Sequence, residues 1–494
     1  MEEEMKALTQ NHTWEFVSLP QGLRPVGCKW VFTIKHTPEG KIDRYKARLV
    51  AKGYTQIYGV DYDETFAPVA KMNSVRTLIS CAVNFGWKLF QLDVKNAFLH
   101  GDLHEKVYME IPPGFTSKET IGKVCRLKRA LYGLKQSPRA WFDRFRRALT
   151  SMGYKQSNAD HTLFFRHIGG MITILIVYVD DIIVTGDDSV EISNLKTKLA
   201  QEFEMKDLGE LKYFLGIEVA RSKHGIFLSQ RKYVLDLLLD TGLLGCRPAS
   251  SPINQNHKLV GEVGEPIDKG RYQKIVGRLL YLSHTRPDIA YAVGVVSRYM
   301  HDPREPHMKV VTQILRYLKG CPGQGILFSP NDHLKVECYT DADWGGSLDD
   351  RKSTSGYCTF VGGNLVTWRS KRQSVVARSS AEAEYRAMAQ GICELLWLKS
   401  LLSELCLISQ TPLMLYCDNK AAIDIANNPI QHDRTKHVEI DRHFIKEKLE
   451  SKEVCIPYIR SCDQLADIFT KGLSSQVFSS IITKMGIRDI YAPS

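Results

Sequence analysis

At 494 residues, with 44% hydrophobic and 10% aromatic side chains, the chain exceeds what one core organises, and two or three globular domains are expected. Sixty-six Lys and Arg against 55 Asp and Glu leave a formal charge of +11, which favours a polyanionic partner, nucleic acid first, over an acidic or neutral one. Twelve cysteines without a CxxC pair exclude a zinc knuckle or a thioredoxin-like motif and fit reduced thiols in the cytosol or nucleus.

The chain opens on MEEEMKAL, acidic and amphipathic where a secretory signal is basic and then apolar, so export is not expected. Short β-rich stretches follow, KWVFTI at 29–34 and ARLVA at 47–51, and a helical pattern runs from about Ser74 to Phe85. From Lys123 to Tyr154 the pattern is helical, with Trp141, Phe142, Phe145 and Leu149 as an apolar stripe. Residues 121–155 carry ten Lys or Arg against one acid, Asp143, a candidate grip on phosphates. Segment 171–186 reads as two β-branched strands joined at aspartates, and its MITILIVYV run is far below the roughly 18 residues of a membrane helix. A second hairpin occupies 213–229, turning at Lys223 to Gly225. Proline-broken helices fill 231–320, with RPASSPINQN at 247–256 as an interdomain joint. Another domain starts near 334: strand VECYT, hairpin strands GYCTFV and NLVTW, a long helix over 379–405, strand LMLYC, helices, strand VCIPYI and a terminal helical turn.

Asp93 ends the apolar run KLFQL, and ILIVYVDDIIVTG further on sets Asp180 and Asp181 at a hairpin tip with apolar arms. The dipeptide alone reads as a turn. Together with Asp93, two like charges in a partly dry setting call for a compensating cation, and divalent metal supplies it. The segments LFQLDVKNAFLHGDL, LYGLKQSPRAW and YVDD, with KWVFTIK and RYKARLVAKGYTQ upstream, resemble the reverse transcriptase of copia-type LTR retrotransposons, from about Asn11 to near residue 473.

That resemblance implies an α+β multidomain protein, a right-hand polymerase of fingers, palm and thumb followed by an RNase H-like α/β domain with a mixed sheet. The expected divisions are an acidic lead-in at 1–24, fingers and palm at 25–250, a helical thumb or connection at 251–330, the RNase H-like domain at 331–475 and a tail at 476–494. Asp93 and Asp180 become the principal metal ligands, with Asp181 less central. Phe98 matches the aromatic that blocks a nucleotide 2′-hydroxyl, and Tyr132, Gly133 and Lys135 match the segment lining the incoming nucleotide, although retroviral enzymes carry Gln where Tyr132 stands. Lys46, Arg48 and Lys52 are candidates to hold the triphosphate. Leu215 and Gly216 resemble the turn that grips the primer.

In the C-terminal part, Asp341 ends a strand in CYTDADW, Asp418 ends another in LYCDNK, and Asp467 lies in LADIFTK, an order that resembles RNase H. Asp341, Glu384, Asp418 and Asp467 match its four acidic positions. Glu382 and Glu384 point about 200° apart on a helix, so one alone faces the site; AEYRA selects Glu384 and leaves Glu382 to the helix dipole. Asp463 reads as an N-cap, and Asp343 and Asp424 as solvated acids. YIRSCDQLAD lacks the histidine that cellular and retroviral RNases H often carry there, and a structural role is assigned to His437 and His443. The stretch Arg351 to Ala381 holds six basic residues and no acid, a candidate hybrid-binding strip.

Asp240-Thr241-Gly242 is the tripeptide of retroviral aspartic proteases, but apolar residues at 234, 235, 238, 239 and 243 fit a helix from Lys232 capped at Gly242. The expected activity is RNA-directed DNA synthesis with degradation of the copied RNA, using two Mg2+ ions per site, with Mn2+ as the substitute. Expected partners are RNA template, DNA primer, RNA:DNA hybrid, deoxynucleoside triphosphates and other retroelement polyprotein products, in the cytoplasm, a virus-like particle or the nucleus, with no membrane and no secretion. The competing readings are a decayed or domesticated fragment that only binds nucleic acid, and a DNA-directed or repair polymerase.

Overall fold

The computed structural model describes residues 1–36, 41–407, 412–427 and 439–491. The chain divides into two compact units, one of Met1–Ala70 with Leu89–Glu210, the other of Lys71–Lys88 with Leu211–Ser494.

In the first unit, helix α1 (Glu2–Gln10) buries Leu8 with Val26, Leu49 and Val107 in a small core. The expected lead-in is thus packed structure. Strands β1 (Cys28–His36) and β2 (Ile42–Ala51) form an antiparallel hairpin with Trp30 opposite Leu49 and Thr33 opposite Lys46. Helix α2 (Met72–Phe85) then belongs to the second unit, and the first resumes at β3 (Lys88–Val94). The helix expected from Lys123 begins only as α3 (Ser137–Ser151), because Val124–Leu127 is a strand paired with Trp14–Val17 and Pro138 in the first turn sets the helix start. Strands β4 (Met171–Tyr178) and β5 (Asp181–Gly186) pair as the sequence predicts. The six-stranded sheet runs Met205–Glu210, β3, β5, β4, Leu163–Ile168, Lys155–Gln156. Leu92, Leu175, Val177 and Val184 pack with Trp141, Phe145 and Leu149 of α3 in one core.

The second unit holds helices α4 (Lys269–Leu282), α5 (Ala290–Ser297) and α6 (Glu305–Gly320) and a mixed sheet ordered β8, β7, β6, β9, β10. These strands are β6 (Val336–Asp343), β7 (Thr354–Val361), β8 (Asn364–Arg372), β9 (Leu413–Tyr416) and β10 (Val454–Cys455). β6 runs antiparallel to β7 and parallel to β9. Helix α7 (Ser380–Glu404) comes close to β6: a Cβ on Gly391 would meet Thr340 Cγ2 at 2.5 Å, so only glycine permits this approach.

Two boundary expectations are corrected. The stretch 247–256 is not a joint: Ile253 is buried, and the Ala249 N–H donates to the Arg316 carbonyl at 3.1 Å. Of the C-terminal tail expected at 476–494, the described residues are packed: helix Ser475–Lys484 buries Phe478 and Ile481, and strand Ile487–Asp489 pairs with Gln324–Phe328. No helix among the described residues is long and apolar enough to cross a membrane.

Candidate functional site

Asp93 sits one residue before the end of β3, and the β4–β5 hairpin turns through Val179 and Asp180, with Tyr178 paired to Asp181. Val179 has φ +55°, a region a β-branched residue enters only under constraint. The constraint is visible: the Trp141 indole N–H donates to the Val179 carbonyl at 2.7 Å and the Val94 N–H to the Asp180 carbonyl at 2.9 Å. Asp93 and Asp180 thereby line one cavity of about 400 Å³ with Arg44, Lys46, Arg48 and Lys206. Burial, and then the charge of Asp180, hold the Asp93 carboxyl above the usual range. Asp181 stands at the start of β5, outside that lining, where it accepts from Gln91 Nε2 at 3.1 Å; burial raises it too.

The other sequence-predicted residues divide. Lys46 and Arg48 join the two aspartates, and burial, then the charge of Arg48, lowers Lys46. Tyr132 and Gly133 line an adjoining cavity of about 290 Å³ that Lys46 and Arg48 share. The Arg48 guanidinium lies 4.4 Å over the Tyr132 ring, and Phe98 meets that ring edge-on at 4.8 Å. Gly133 has φ +94°, and a Cβ there would fall 2.1 Å from the Ala51 carbonyl. Lys135 is turned elsewhere, its Nζ on the Gln56 carbonyl (3.3 Å) and the Tyr62 hydroxyl (3.1 Å), and Lys52 is not part of either lining.

Two features of the first unit escaped sequence reasoning. Glu3 and Glu4 of α1 also line the first cavity, and Glu4, buried beside Leu49 with its carboxyl pushed up by desolvation, sits against the hairpin cations. The basic run 121–155 is largely neutralised by acids remote in sequence: Arg126 and Lys128 pair with Glu15, Arg129 and Arg147 with Asp102, and Arg144 with Glu202.

In the second unit, Asp341 lies in the buried stretch Thr340–Ala342 near the end of β6, Glu384 occupies the second turn of α7, Asp418 follows β9, and Asp467 lies in the turn Leu465–Phe469. Asp341, Glu384 and Asp467 are 3%, 5% and 8% exposed. Ligand atoms of Glu384, Cys417 and Asp418 lie within 4.8 Å of one another, and Glu384 Oε2 is buried without a hydrogen-bond partner. Burial, then Asp341, pushes Glu384 up to about 10, and the same two causes push Asp467 up to about 7. Lys471 is the cation within reach, its Nζ 2.8 Å from Asp467 and 3.6 Å from Asp341. Oxygen donors in this number, dry and short of positive charge, fit a divalent cation such as magnesium.

Neither Lys471 nor Cys417 was singled out in the sequence; the spacing of Lys471, one helical turn after Asp467, was the available signal. Glu382 behaves as expected, accepting from the Arg378 N–H at 2.8 Å while the Ser379 side chain caps the helix. Asp463 does not cap: it pairs with Arg460 (2.8 Å) and Lys484 (2.9 Å), and Gln464 caps the turn by accepting from the Ala466 N–H. Asp343 is not a solvated acid, since burial raises it to about 6 and the Thr354 N–H donates to it. His443 is exposed on helix Glu439–Glu450, and His437 lies outside the described residues. Leu215 and Gly216 form a turn with φ +49° and +75°. Asp240 ends helix Arg231–Asp240 and pairs with Arg278 at 2.5 Å, which excludes a protease loop there.

Residues 11–255 match a protein family described as reverse transcriptase (RNA-dependent DNA polymerase). The Pol polyprotein of transposon RE1 from Arabidopsis thaliana is 45% identical over 99% of this chain and 33% of its own length. That of transposon TNT 1-94 from Nicotiana tabacum is 42% identical over 97% of this chain and 37% of its own. The chain therefore spans about a third of the polyproteins it matches. Among solved structures, a foamy viral protease-reverse transcriptase in complex with dsDNA matches 93% of this chain and 80% of its own at 12% identity, with a TM-score of 0.24, too low to bear on the fold. On these sequence relationships, which cover 97–99% of the chain, it belongs to the reverse transcriptase family of copia-type transposon Pol polyproteins.

Proposed function

We propose that this chain copies RNA into DNA at Asp93 and Asp180 and cleaves the RNA of the resulting hybrid at Asp341, Glu384, Asp418 and Asp467. The observation that carries the reading is the convergence of Asp93 and Asp180 with Lys46 and Arg48 on one cavity. In this reading the β1–β2 hairpin is the fingers, the six-stranded sheet the palm and the mixed sheet the RNase H-like domain. Asp93, Asp180 and Asp181 would hold magnesium in the first unit, and Asp341, Glu384, Asp418 and Asp467 would hold it in the second. Bound there, a metal pair supplies charge stabilisation for the attacking and leaving oxygens of an in-line displacement.

The protein's own groups do the rest. Lys46 and Arg48 offset the charge of a nucleoside triphosphate in a partly dry cleft, where each interaction is stronger than in water. Tyr132, stacked under Arg48 and abutted by Phe98, forms an aromatic wall for the sugar, and Phe98 selects the deoxy form by leaving no room for a 2′-hydroxyl. The strained Val179 turn fixes Asp180 before substrate arrives. In the second unit, Lys471 holds Asp341 and Asp467 together until substrate and metal enter.

Primer extension on homopolymeric RNA with magnesium tests the first site. Wild-type extension lost in Asp180→Asn is expected; no wild-type extension, or equal extension by the variant, leaves only a nucleic-acid-binding protein. A labelled RNA:DNA hybrid should be cut by wild type and spared by Asp418→Asn.

A further inference from the structure

The segment that delivers Asp418 delivers a thiol as well. Cys417 directly follows β9, is 0% exposed, and has its backbone clamped: its N–H donates to the Pro457 carbonyl at 3.4 Å, and its carbonyl accepts from the Ile459 N–H at 3.0 Å. Neighbouring side chains on a strand point to opposite faces, so Cys417 and Asp418 can share one site only because the chain bends at Asp418. Past the bend it enters helix Lys420–Asn427, whose first turn Asn419 caps, its Oδ1 accepting from the Ala422 N–H at 3.0 Å. That path brings the Asn419 N–H back onto Cys417 Sγ at 3.4 Å, with the Asn419 carbonyl 3.9 Å away to accept from the thiol.

A buried cysteine commonly fills a core as a small apolar group. This one stands among carboxylates: Sγ, an oxygen of Glu384 and an oxygen of Asp418 all lie within 4.8 Å of one another. Glu384 is 5% exposed, and its Oε2 is buried with no hydrogen-bond partner. Asp418 is half-buried and accepts from the Ser461 hydroxyl at 2.6 Å. Magnesium takes oxygen ligands in near-octahedral geometry and binds sulfur poorly. A thiolate with two carboxylates and one open position suits zinc instead, or cobalt in its place. Around zinc, at bond lengths of about 2.0–2.3 Å, such ligand atoms stand roughly 3.5 Å apart, so the three need to close by no more than roughly 1.3 Å.

We propose that Cys417, Glu384 and Asp418 bind a thiophilic divalent cation of the zinc class, in competition with magnesium. As the metal–sulfur bond forms, the thiol proton leaves to solvent, and the Asn419 N–H supports the charge left on sulfur. Burial, then the charge of Glu384, raises the thiol, and the cation that relieves Glu384 relieves it too. Glu384 and Asp418 are shared with the proposed hybrid-cleaving site, yet the zinc chemistry stands apart from that activity. The test is a cobalt titration of the full chain, stripped of metal and kept reduced by a phosphine, because a cobalt–thiolate bond absorbs in the near ultraviolet. The band is expected in wild type and in Cys462→Ser, which removes the exposed thiol next to Ser461. Cys417→Ser should lose the band and bind zinc at least about tenfold more weakly. Zinc should bleach the band, while magnesium in about hundredfold excess leaves it standing. X-ray absorption of wild type carrying less than one zinc per chain should show a sulfur neighbour at about 2.3 Å beside oxygens, a readout that holds whether or not Cys417→Ser folds. No band, a band retained in Cys417→Ser, a zinc shell of oxygen and nitrogen alone, or bleaching by magnesium as effective as by zinc overturns the proposal. A band in a protein that cuts no hybrid in magnesium would leave the zinc site standing and sink the cleavage reading, and cleavage without a band would do the reverse.

Discussion

Glu384 gives the sharpest test of the second site. Its side chain is 5% exposed, one carboxylate oxygen has no hydrogen-bond partner, and burial followed by Asp341 raises it to about 10. An unfolded glutamate ionises near 4.3, so below that pH both states are protonated and the group contributes nothing adverse. As pH rises toward the folded value, the unfolded chain releases a proton that the folded chain keeps. Stability is then lost at about 1.4 kcal/mol per pH unit. Glu384→Gln removes that proton. Measured by urea unfolding in EDTA, its advantage over wild type should grow between pH 6 and pH 8 by at most about 3 kcal/mol, and by about 1–2 kcal/mol if the proton is shared with Asp341. Magnesium at a hundredfold excess over its Kd should stabilise wild type at pH 8 by about 2.7 kcal/mol and leave a Glu384→Gln, Asp418→Asn double variant unmoved. A difference between variant and wild type that stays constant across this pH range would refute the dry, cation-deficient site.

Three further outcomes are expected. Val179→Gly should leave the melting temperature nearly unchanged, because relief of the φ +55° conformation offsets the added chain entropy of glycine, each of order 1 kcal/mol, whereas Val184→Gly in the same hairpin should cost about 3 kcal/mol. A large loss in Val179→Gly would show that the turn is not strained. Gly133→Ala should destabilise by at least about 2 kcal/mol in thermal unfolding, since the new Cβ meets the Ala51 carbonyl at 2.1 Å and φ is +94°; a neutral result contradicts the tight turn. Glu4→Gln should lower the KM for deoxynucleoside triphosphate roughly threefold with little change in kcat, by removing a carboxylate from beside Lys46 and Arg48, and an unchanged KM would mean that Glu4 does not share the substrate's space.

What the sequence revealed, and what it hid, follows the range of the forces involved. The β4–β5 hairpin, α7 and the strand order around Asp341 were legible because β-branched runs and helical periodicity are local. Helix rotation allowed only one of Glu382 and Glu384 to face the site, the resemblance carried by AEYRA chose Glu384, and Glu382 makes its hydrogen bond at the helix N-terminus. The basic run at 121–155 misled because charge was counted in a window, while Glu15, Asp102 and Glu202 arrive through tertiary folding. The segments at 247–256 and 476–494 carried Pro and Ser but also enough apolar residues, Ile253, Phe478 and Ile481, to be drawn into the core. Polar composition marks a boundary only where burial does not overrule it.

The two acidic clusters solve one electrostatic problem in different ways. Around Asp93 and Asp180 the cations stand on a hairpin beside one cavity, and burial followed by the charge of Asp180 raises the Asp93 carboxyl. Around Asp341 three of the four acids are buried, Lys471 bridges two of them, and Glu384 is left without a partner on one oxygen. Burial and the neighbouring Asp341 raise Glu384 and Asp467, and a compensating cation is what lets two such acids ionise together.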